Sequence, residues 1–136
     1  MFKCAELFIQ AVREKDLSCD VKEALDGDVI VKVIYENKIT TFIFSGADGK
    51  YVSMYSAMDT VPADRFANVL LVCNKLNAEY KWLKFYIDSN NFIMVEDDAI
   101  LTEEHATEEC FDLLIRRMTI LEDVKPSLMG AIYVQS

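Results

Sequence analysis

The sequence predicts an α+β domain built around an antiparallel sheet. Apolar and polar residues alternate over 28–36, which is the period of a strand, whereas apolar residues recur at helical spacing over 2–16. The predicted strands follow one another through short turn sequences, and such short connections join antiparallel strands. The predicted order is therefore helix, weak strand, three strands, helix, two strands and a final helix.

The N-terminal segment is predicted to form an amphipathic helix and a short strand. The helix over 2–16 has an apolar stripe, whose members are Phe2, Ala5, Phe8, Ile9 and Val12. A weak strand runs from Cys19 to about Leu25. It ends at Asp26-Gly27-Asp28, which is a turn sequence.

A three-stranded meander is predicted next. Its first strand, over 28–36, is followed by Asn37-Lys38, where Asn readily accepts a positive φ and so favours a tight reversal. The second strand covers 39–45, and the glycine-containing turn over 46–49 leads to the third strand, over 51–59.

A second helix and a second hairpin follow. Pro62 suits the first turn of a helix that ends near Asn77, and its predicted buried stripe consists of Phe66, Val69, Leu70, Cys73 and Leu76. The hairpin pairs strands over 82–88 and 92–100 through the turn Ser89-Asn90-Asn91.

The last element is a long helix. Thr102 is its predicted N-cap, and its stripe consists of Phe111, Leu114, Ile115, Met118 and Leu121. We expect Pro126 to break or kink this helix. The chain remains apolar afterwards, at Leu128, Met129, Ala131, Ile132, Tyr133 and Val134. Either the domain itself or a second subunit is expected to cover this tail.

Length and composition predict one globular domain over residues 1–136. The chain is 52% hydrophobic and 27% charged, which is the balance of a folded protein rather than a disordered one. A chain of this length buries enough apolar surface to fold without a disulfide or a structural metal.

The net charge of −9 is concentrated in one segment. Nine of the 23 acidic residues lie between Phe85 and Ile115, where there is no Lys or Arg, and the other 14 acids are balanced by 14 basic residues. Nucleic acids and anionic membranes bind clustered cations, so neither is expected as a partner. A basic segment of a protein partner is expected to bind here, at Glu96, Asp97, Asp98, Glu103, Glu104, Glu108 and Glu109.

The sequence predicts a cytoplasmic protein. The first residues combine acids and bases with helical periodicity and lack the features of a signal peptide, and no apolar run is long enough to span a bilayer. The cysteines lack CxxC spacing and are interpreted as reduced thiols within the core; they are Cys4, Cys19, Cys73 and Cys110.

No local motif predicts catalysis, a cofactor or a metal site. His105 is the one histidine, and no nucleophile accompanies it in a recognisable pattern. Asp88-Ser89-Asn90-Asn91 begins like a calcium loop, but Phe92 and Met94 replace the ligands that should follow, so a hairpin turn is the preferred interpretation. The acids over 96–104 keep a metal-dependent enzyme open as a third hypothesis.

Four aromatic residues of the predicted strand segments leave two interpretations open. They either pack in the core or form an exposed interface on one face of the sheet, and they are Tyr51, Tyr55, Trp82 and Tyr86.

Two short segments carry a family resemblance. Asn74-Lys75-Leu76-Asn77 and Lys84-Phe85-Tyr86-Ile87-Asp88, together with the element order, resemble the YbjN family of bacterial sensory transduction regulators. The resemblance is strongest from about Pro62 to Leu121 and contains no catalytic signature. It implies a fold like that of the type III secretion chaperones, with helices covering one face of an antiparallel sheet, and a homodimer.

The leading functional hypothesis is a non-enzymatic protein-interaction module that acts as an adaptor or a chaperone-like regulator. The missing catalytic groups and the one-sided acidic segment motivate it. The alternative is a small-ligand sensor domain of bacterial signalling, in which the sheet and a helix enclose an apolar pocket.

Overall fold

The computed structural model describes residues 1–133, and within them it contains three α-helices, one 3-10 turn and six strands. The helices are α1 (Lys3–Glu14), α2 (Phe66–Glu79) and α3 (Ala106–Tyr133), and the 3-10 turn Ala63–Arg65 precedes α2. The strands are β1 (Cys19–Glu23), β2 (Val29–Tyr35), β3 (Lys38–Ser45), β4 (Tyr51–Thr60), β5 (Lys84–Ile87) and β6 (Phe92–Ile100).

The strands form an antiparallel sheet in the order β1-β2-β3-β4-β6-β5, and β1 and β5 are its edges. The predicted α+β class is confirmed, and so is the element order, including the weak strand β1. Residue contacts divide the chain into two compact units, one formed by 1–56 with 98–114, the other by 57–97 with the chain from Ile115 onward. The interpretation of 1–136 as a single domain stays a prediction.

The first unit has a core between α1 and one face of its strands. Alternate residues of β2 and β3 are buried, as the period of a strand requires, and they include Val31 and Phe42. Phe8 of α1 lies over this face, with its ring centroid 4.5 Å from that of Phe42 and 6.0 Å from that of Phe44. The ring centroid of Phe111 is 5.4 Å from that of Phe8. In this unit the helix therefore covers one face of the sheet.

The second unit is held together at α2, β5 and the end of α3. Asn77 of α2 binds the backbone of Phe85 twice: its Oδ1 accepts the Phe85 N–H at 2.7 Å, and its Nδ2 donates to the Phe85 carbonyl at 3.0 Å. At the end of α3, the Tyr133 hydroxyl donates to the Asp59 carboxylate at 2.8 Å, and this bond raises the pKa of Tyr133.

Two turn and helix predictions need correction. The hairpin reversal between β2 and β3 consists of Glu36 and Asn37, both at positive φ, because Tyr35 pairs with Lys38. The predicted reversal at Asn37-Lys38 was therefore displaced by one residue. Pro126 does not break the last helix, since α3 continues to Tyr133. The alternative expectation, a kink at Pro126, stays a prediction.

The predicted apolar stripes of α2 and α3 included residues that are exposed in the structure. Phe66 and Leu70 are exposed, so the buried face of α2 consists of Val69, Cys73 and Leu76. Ile115 of α3 is also exposed.

The apolar tail is partly covered by the chain itself. Leu128 and Ile132 are buried as part of α3, whereas Tyr133 is exposed. The prediction for Val134 lies outside the described residues. Of the two expected covers, the domain itself accounts for Leu128 and Ile132.

Candidate functional site

Two of the seven predicted partner-binding acids are buried and paired inside the second unit. The carboxylate of Asp97, at 4% exposure, forms an ion pair with the guanidinium of Arg117, which is fully buried. Arg117 also donates to the carbonyl of Val95. Burial lowers the pKa of Arg117, and Asp97 acts in the opposite direction by attraction and hydrogen bonding.

Glu96 is the second internal acid. Its carboxylate accepts a hydrogen bond from the Tyr86 hydroxyl at 2.9 Å and lies 3.1 Å from the ammonium of Lys84. Both partners are on β5, next to Glu96 in the register of the β5–β6 pair. Glu96 and Asp97 are therefore partnered within the fold, and neither is presented to solvent.

Arg117 is the residue that the sequence reasoning missed. It stands on α3 between the buried residues Leu114 and Leu121, at the spacing of the apolar stripe. A basic residue at a stripe position is a signal of a buried ion pair, because a buried charge needs a partner.

The other five predicted acids are exposed and belong to the first unit. Their backbone is positioned by two bonds: the N–H of Leu101 donates to the carbonyl of Lys50 at 2.7 Å, and the N–H of His105 donates to the Thr102 hydroxyl at 3.3 Å. The second bond closes the turn that precedes α3, which begins at Ala106, so the predicted N-cap at Thr102 lies before the start of the helix. We name these five residues the acidic surface: Asp98, Glu103, Glu104, Glu108 and Glu109.

His105 lies within the acidic surface. Its Nε2 is 4.0 Å from the carboxylate of Glu104 and its Nδ1 is 3.9 Å from that of Glu108, and all three side chains are exposed. Exposed pairs of this length contribute little to stability.

Two sequence patterns resembled metal sites: the segment Asp88-Ser89-Asn90-Asn91 and the acids over 96–104. Asp88 accepts the N–H groups of Asn90 and Phe92, each at 2.9 Å, so its carboxylate holds the hairpin turn between β5 and β6. Over residues 1–133, no three His, Cys, Asp or Glu side chains come close enough together to hold a metal ion.

An open cleft of about 660 Å³ lies beside β1 in the first unit. Its apolar wall consists of Met1, Ile9 and Val21, and its charged residues include Glu6, Arg13 and Glu14. The side chain of Val21 points to the same face of the sheet as Val31, its partner in register.

The four aromatic residues divide between the two interpretations. Tyr51 is 54% exposed on β4, and Trp82, at 59%, precedes β5 with the guanidinium of Arg116 4.6 Å from its ring centroid. Tyr55 and Tyr86 are half-buried, and Tyr86 is bound to Glu96.

No helix within the described range 1–133 is long and apolar enough to cross a membrane. Nothing among the curated proteins matches the chain. Among solved structures, the crystal structure of an uncharacterized protein from Methanothermobacter thermautotrophicus matches with a TM-score of 0.48 and 13% identity, covering 88% of this chain and 97% of that one. The likeness to type III secretion chaperones therefore stays a prediction.

The family comparison agrees with the two segments that carry the resemblance. In the structure, Asn77 of the first segment clamps Phe85 of the second, so these residues join α2 to β5. The model of the YbjN family, described as "Putative bacterial sensory transduction regulator", matches residues 5–120. That description names a class of regulators rather than a class of enzymes. The chain therefore belongs to the YbjN family.

Proposed function

We propose that this protein is a non-enzymatic protein-interaction module, an adaptor or chaperone-like regulator, whose acidic surface binds a basic segment of a partner protein. The observation that carries the proposal is the separation of the acids into two sets. Glu96 and Asp97 are neutralised inside the fold by Lys84 and Arg117, whereas the acidic surface remains exposed. Its negative potential would attract a cationic segment.

Three other features support the proposal. The chain has no Lys or Arg between Phe85 and Ile115, so no basic side chain of that segment can neutralise the acidic surface. The description of the family as regulators agrees with a binding role. The four cysteines are free thiols, three of them buried, which agrees with a reducing compartment and hence with a cytoplasmic protein.

A pull-down from cell extract tests this function. The test variant replaces four acids by their amides in E103Q/E104Q/E108Q/E109Q. The control variant removes the same charge from exposed acids elsewhere, in D64N/E79Q/E122Q/D123N. We expect the wild type and the control to retain the same specific proteins at low salt. We expect the test variant to lose them, and high salt to release them, because salt shortens the range of charge attraction.

Equal retention by the test variant and the wild type would contradict a role for the acidic surface. Failure to recover any specific protein at either salt concentration would count against the interaction module itself. Far-ultraviolet circular dichroism of both variants checks that the substitutions leave the fold intact.

The second candidate is a small-ligand sensor, and the cleft beside β1 is the observation that favours it. Its volume of about 660 Å³ lies within the range of small-molecule sites, and its wall combines apolar and charged groups. Native mass spectrometry of freshly purified protein tests this candidate, since a persistently ligand-free mass would remove its support.

A further inference from the structure

The edge strand β1 presents hydrogen-bonding groups that β2 does not use. The Ile34 N–H donates to the Ser18 carbonyl at 3.0 Å, and the Ala24 N–H donates to the Asp28 carbonyl at 2.8 Å. Both bonds fit the β1–β2 register, in which Val21 is opposite Val31. In an antiparallel pair, hydrogen-bonded and non-hydrogen-bonded residues alternate. The backbone N–H and C=O groups of the even-numbered residues of β1 therefore point to β2. The N–H and C=O groups of Cys19, Val21 and Glu23 therefore point away from the sheet.

The two edges of the sheet differ in how they are protected. At β5, the side chain of Asn77 occupies the outward N–H and C=O of Phe85. Across the described part of the chain, the outward groups of β1 have no backbone partner. An unprotected edge strand is a template for pairing with a further strand.

We infer that β1 pairs antiparallel with β1 of a second copy of this chain, with Val21 opposite Val21 on the twofold axis. In this register Cys19 lies opposite Glu23 of the second copy, so every outward N–H and C=O meets an outward group. Asp20 then lies opposite Lys22 of the second copy, and the twofold axis repeats that pair.

The charges of β1 select this register over its neighbours. Shifting the pairing by two residues in one direction places Asp20 opposite Asp20, and shifting it in the other direction places Lys22 opposite Lys22. Directly opposed like charges destabilise a strand pair, whereas opposite charges stabilise it. The self-complementary order Asp20-Val21-Lys22 thus identifies a second copy, rather than an arbitrary extended peptide, as the occupant.

The cleft beside β1 supplies the apolar part of this interface. Val21 and Ile9 line the cleft on the face of the sheet that α1 covers. Directly opposed residues of an antiparallel pair project to the same face, so Val21 of the second copy would enter the same space. The apolar wall of each cleft is then covered by the other copy.

Light scattering after size exclusion, over a range of protein concentrations, tests the inference on the purified full chain. We expect the wild type to be a dimer. Asp20→Lys and Lys22→Asp should each place like charges opposite one another and raise the dimer Kd at least about tenfold. The double variant D20K/K22D exchanges the two charges and should restore the dimer.

Val21→Pro provides a second, independent variant. Proline is tolerated on edge strands, and it removes an outward N–H that β2 does not use, so the protein should fold as a monomer. A monomeric wild type, including one that pairs only with other proteins, would overturn the inference. So would a D20K/K22D variant that dimerises no better than the single variants. The acidic surface is made of other residues, so this outcome is independent of the pull-down.

Discussion

Arg117 and Asp97 form an ion pair whose two side chains are almost completely removed from solvent. Arg117 is the largest fully buried side chain among residues 1–133, and it binds the Val95 carbonyl as well as the Asp97 carboxylate. Removing one member of such a pair leaves a buried charge without compensation. The pair therefore specifies how α3 attaches to β6 within the second unit.

We expect Asp97→Asn to lower the free energy of unfolding by about 3–5 kcal/mol, because the Arg117 charge stays buried. The double variant D97L/R117M removes both charges and should lose less than the sum of the two single variants. Urea unfolding followed by circular dichroism measures these differences. Arg116→Met is the control, since Arg116 lies over Trp82 and should contribute only about 1 kcal/mol. Additive losses in the double variant would contradict the coupling.

Thr40 is a buried polar residue with an unused hydroxyl. Its side chain is fully buried on β3, and its Oγ1 has no hydrogen-bond partner among the described residues. Thr40→Val keeps the shape and removes a desolvated polar atom, so we expect a gain of about 1–2 kcal/mol in the free energy of unfolding. The half-buried neighbour Thr41, changed to Val, should have a smaller effect. A loss of stability in Thr40→Val would show that the hydroxyl has a partner.

The local parts of this fold were predictable from the sequence, and the long-range parts were not. The alternation over 28–36 identified β2, and the strand over 92–100 was predicted with the bounds that β6 has. The burial of Arg117 was not predicted, because it depends on Asp97, which lies 20 positions away in the chain. A periodic pattern indicates which residues share a face of an element, but it does not indicate which charged residue of another element lies opposite that face.

Pro126 shows how packing overrides a local preference. Proline inside a helix costs about 3 kcal/mol relative to alanine. Val124, Leu128 and Ile132 are buried on the same helix, and each buried side chain of this kind contributes about 1.5–3 kcal/mol. Their combined burial exceeds the cost, so α3 continues. The acidic candidates were also divided by tertiary contacts: Glu96 and Asp97 are adjacent on β6, yet both are buried, because each forms an ion pair with a basic residue of another element.

Gly49 is required by both its backbone and its surroundings. Its φ is +71°, and a Cβ at this position would overlap the ring of Phe2. Gly49→Ala should therefore lower the free energy of unfolding by about 2 kcal/mol or more, through strain and displacement of the ring. Gly27→Ala is the matched control, because Gly27 also has a positive φ but a Cβ there would meet no atom within 4 Å. Its loss should be limited to about 1–2 kcal/mol. If Gly49→Ala and Gly27→Ala lost equal free energy of unfolding in thermal or urea unfolding, the Phe2 ring would be able to move away from the new Cβ without loss of stability.

The four thiols should differ in reactivity. Burial raises the pKa of Cys4, Cys73 and Cys110, whereas Cys19 on β1 is half-buried. Because the thiolate is the nucleophile, a disulfide reagent at neutral pH should label Cys19 first and the other three only after unfolding. The variant Cys19→Ser should abolish the fast phase. A fast phase that persists in this variant would show that one of the core thiols is accessible.

The same pKa shifts predict a loss of stability at alkaline pH. A thiol whose pKa is raised by folding binds its proton more tightly in the folded state than in the unfolded state. Its contribution to stability is complete below the unfolded value of 9.0 and decreases as the pH rises above it. Cys110 shows the largest rise in pKa, so Cys110→Ala should flatten the dependence of unfolding free energy on pH above about 9. Urea unfolding between pH 7 and 10 measures this slope, and an unchanged slope in the variant would assign the alkaline loss to other groups.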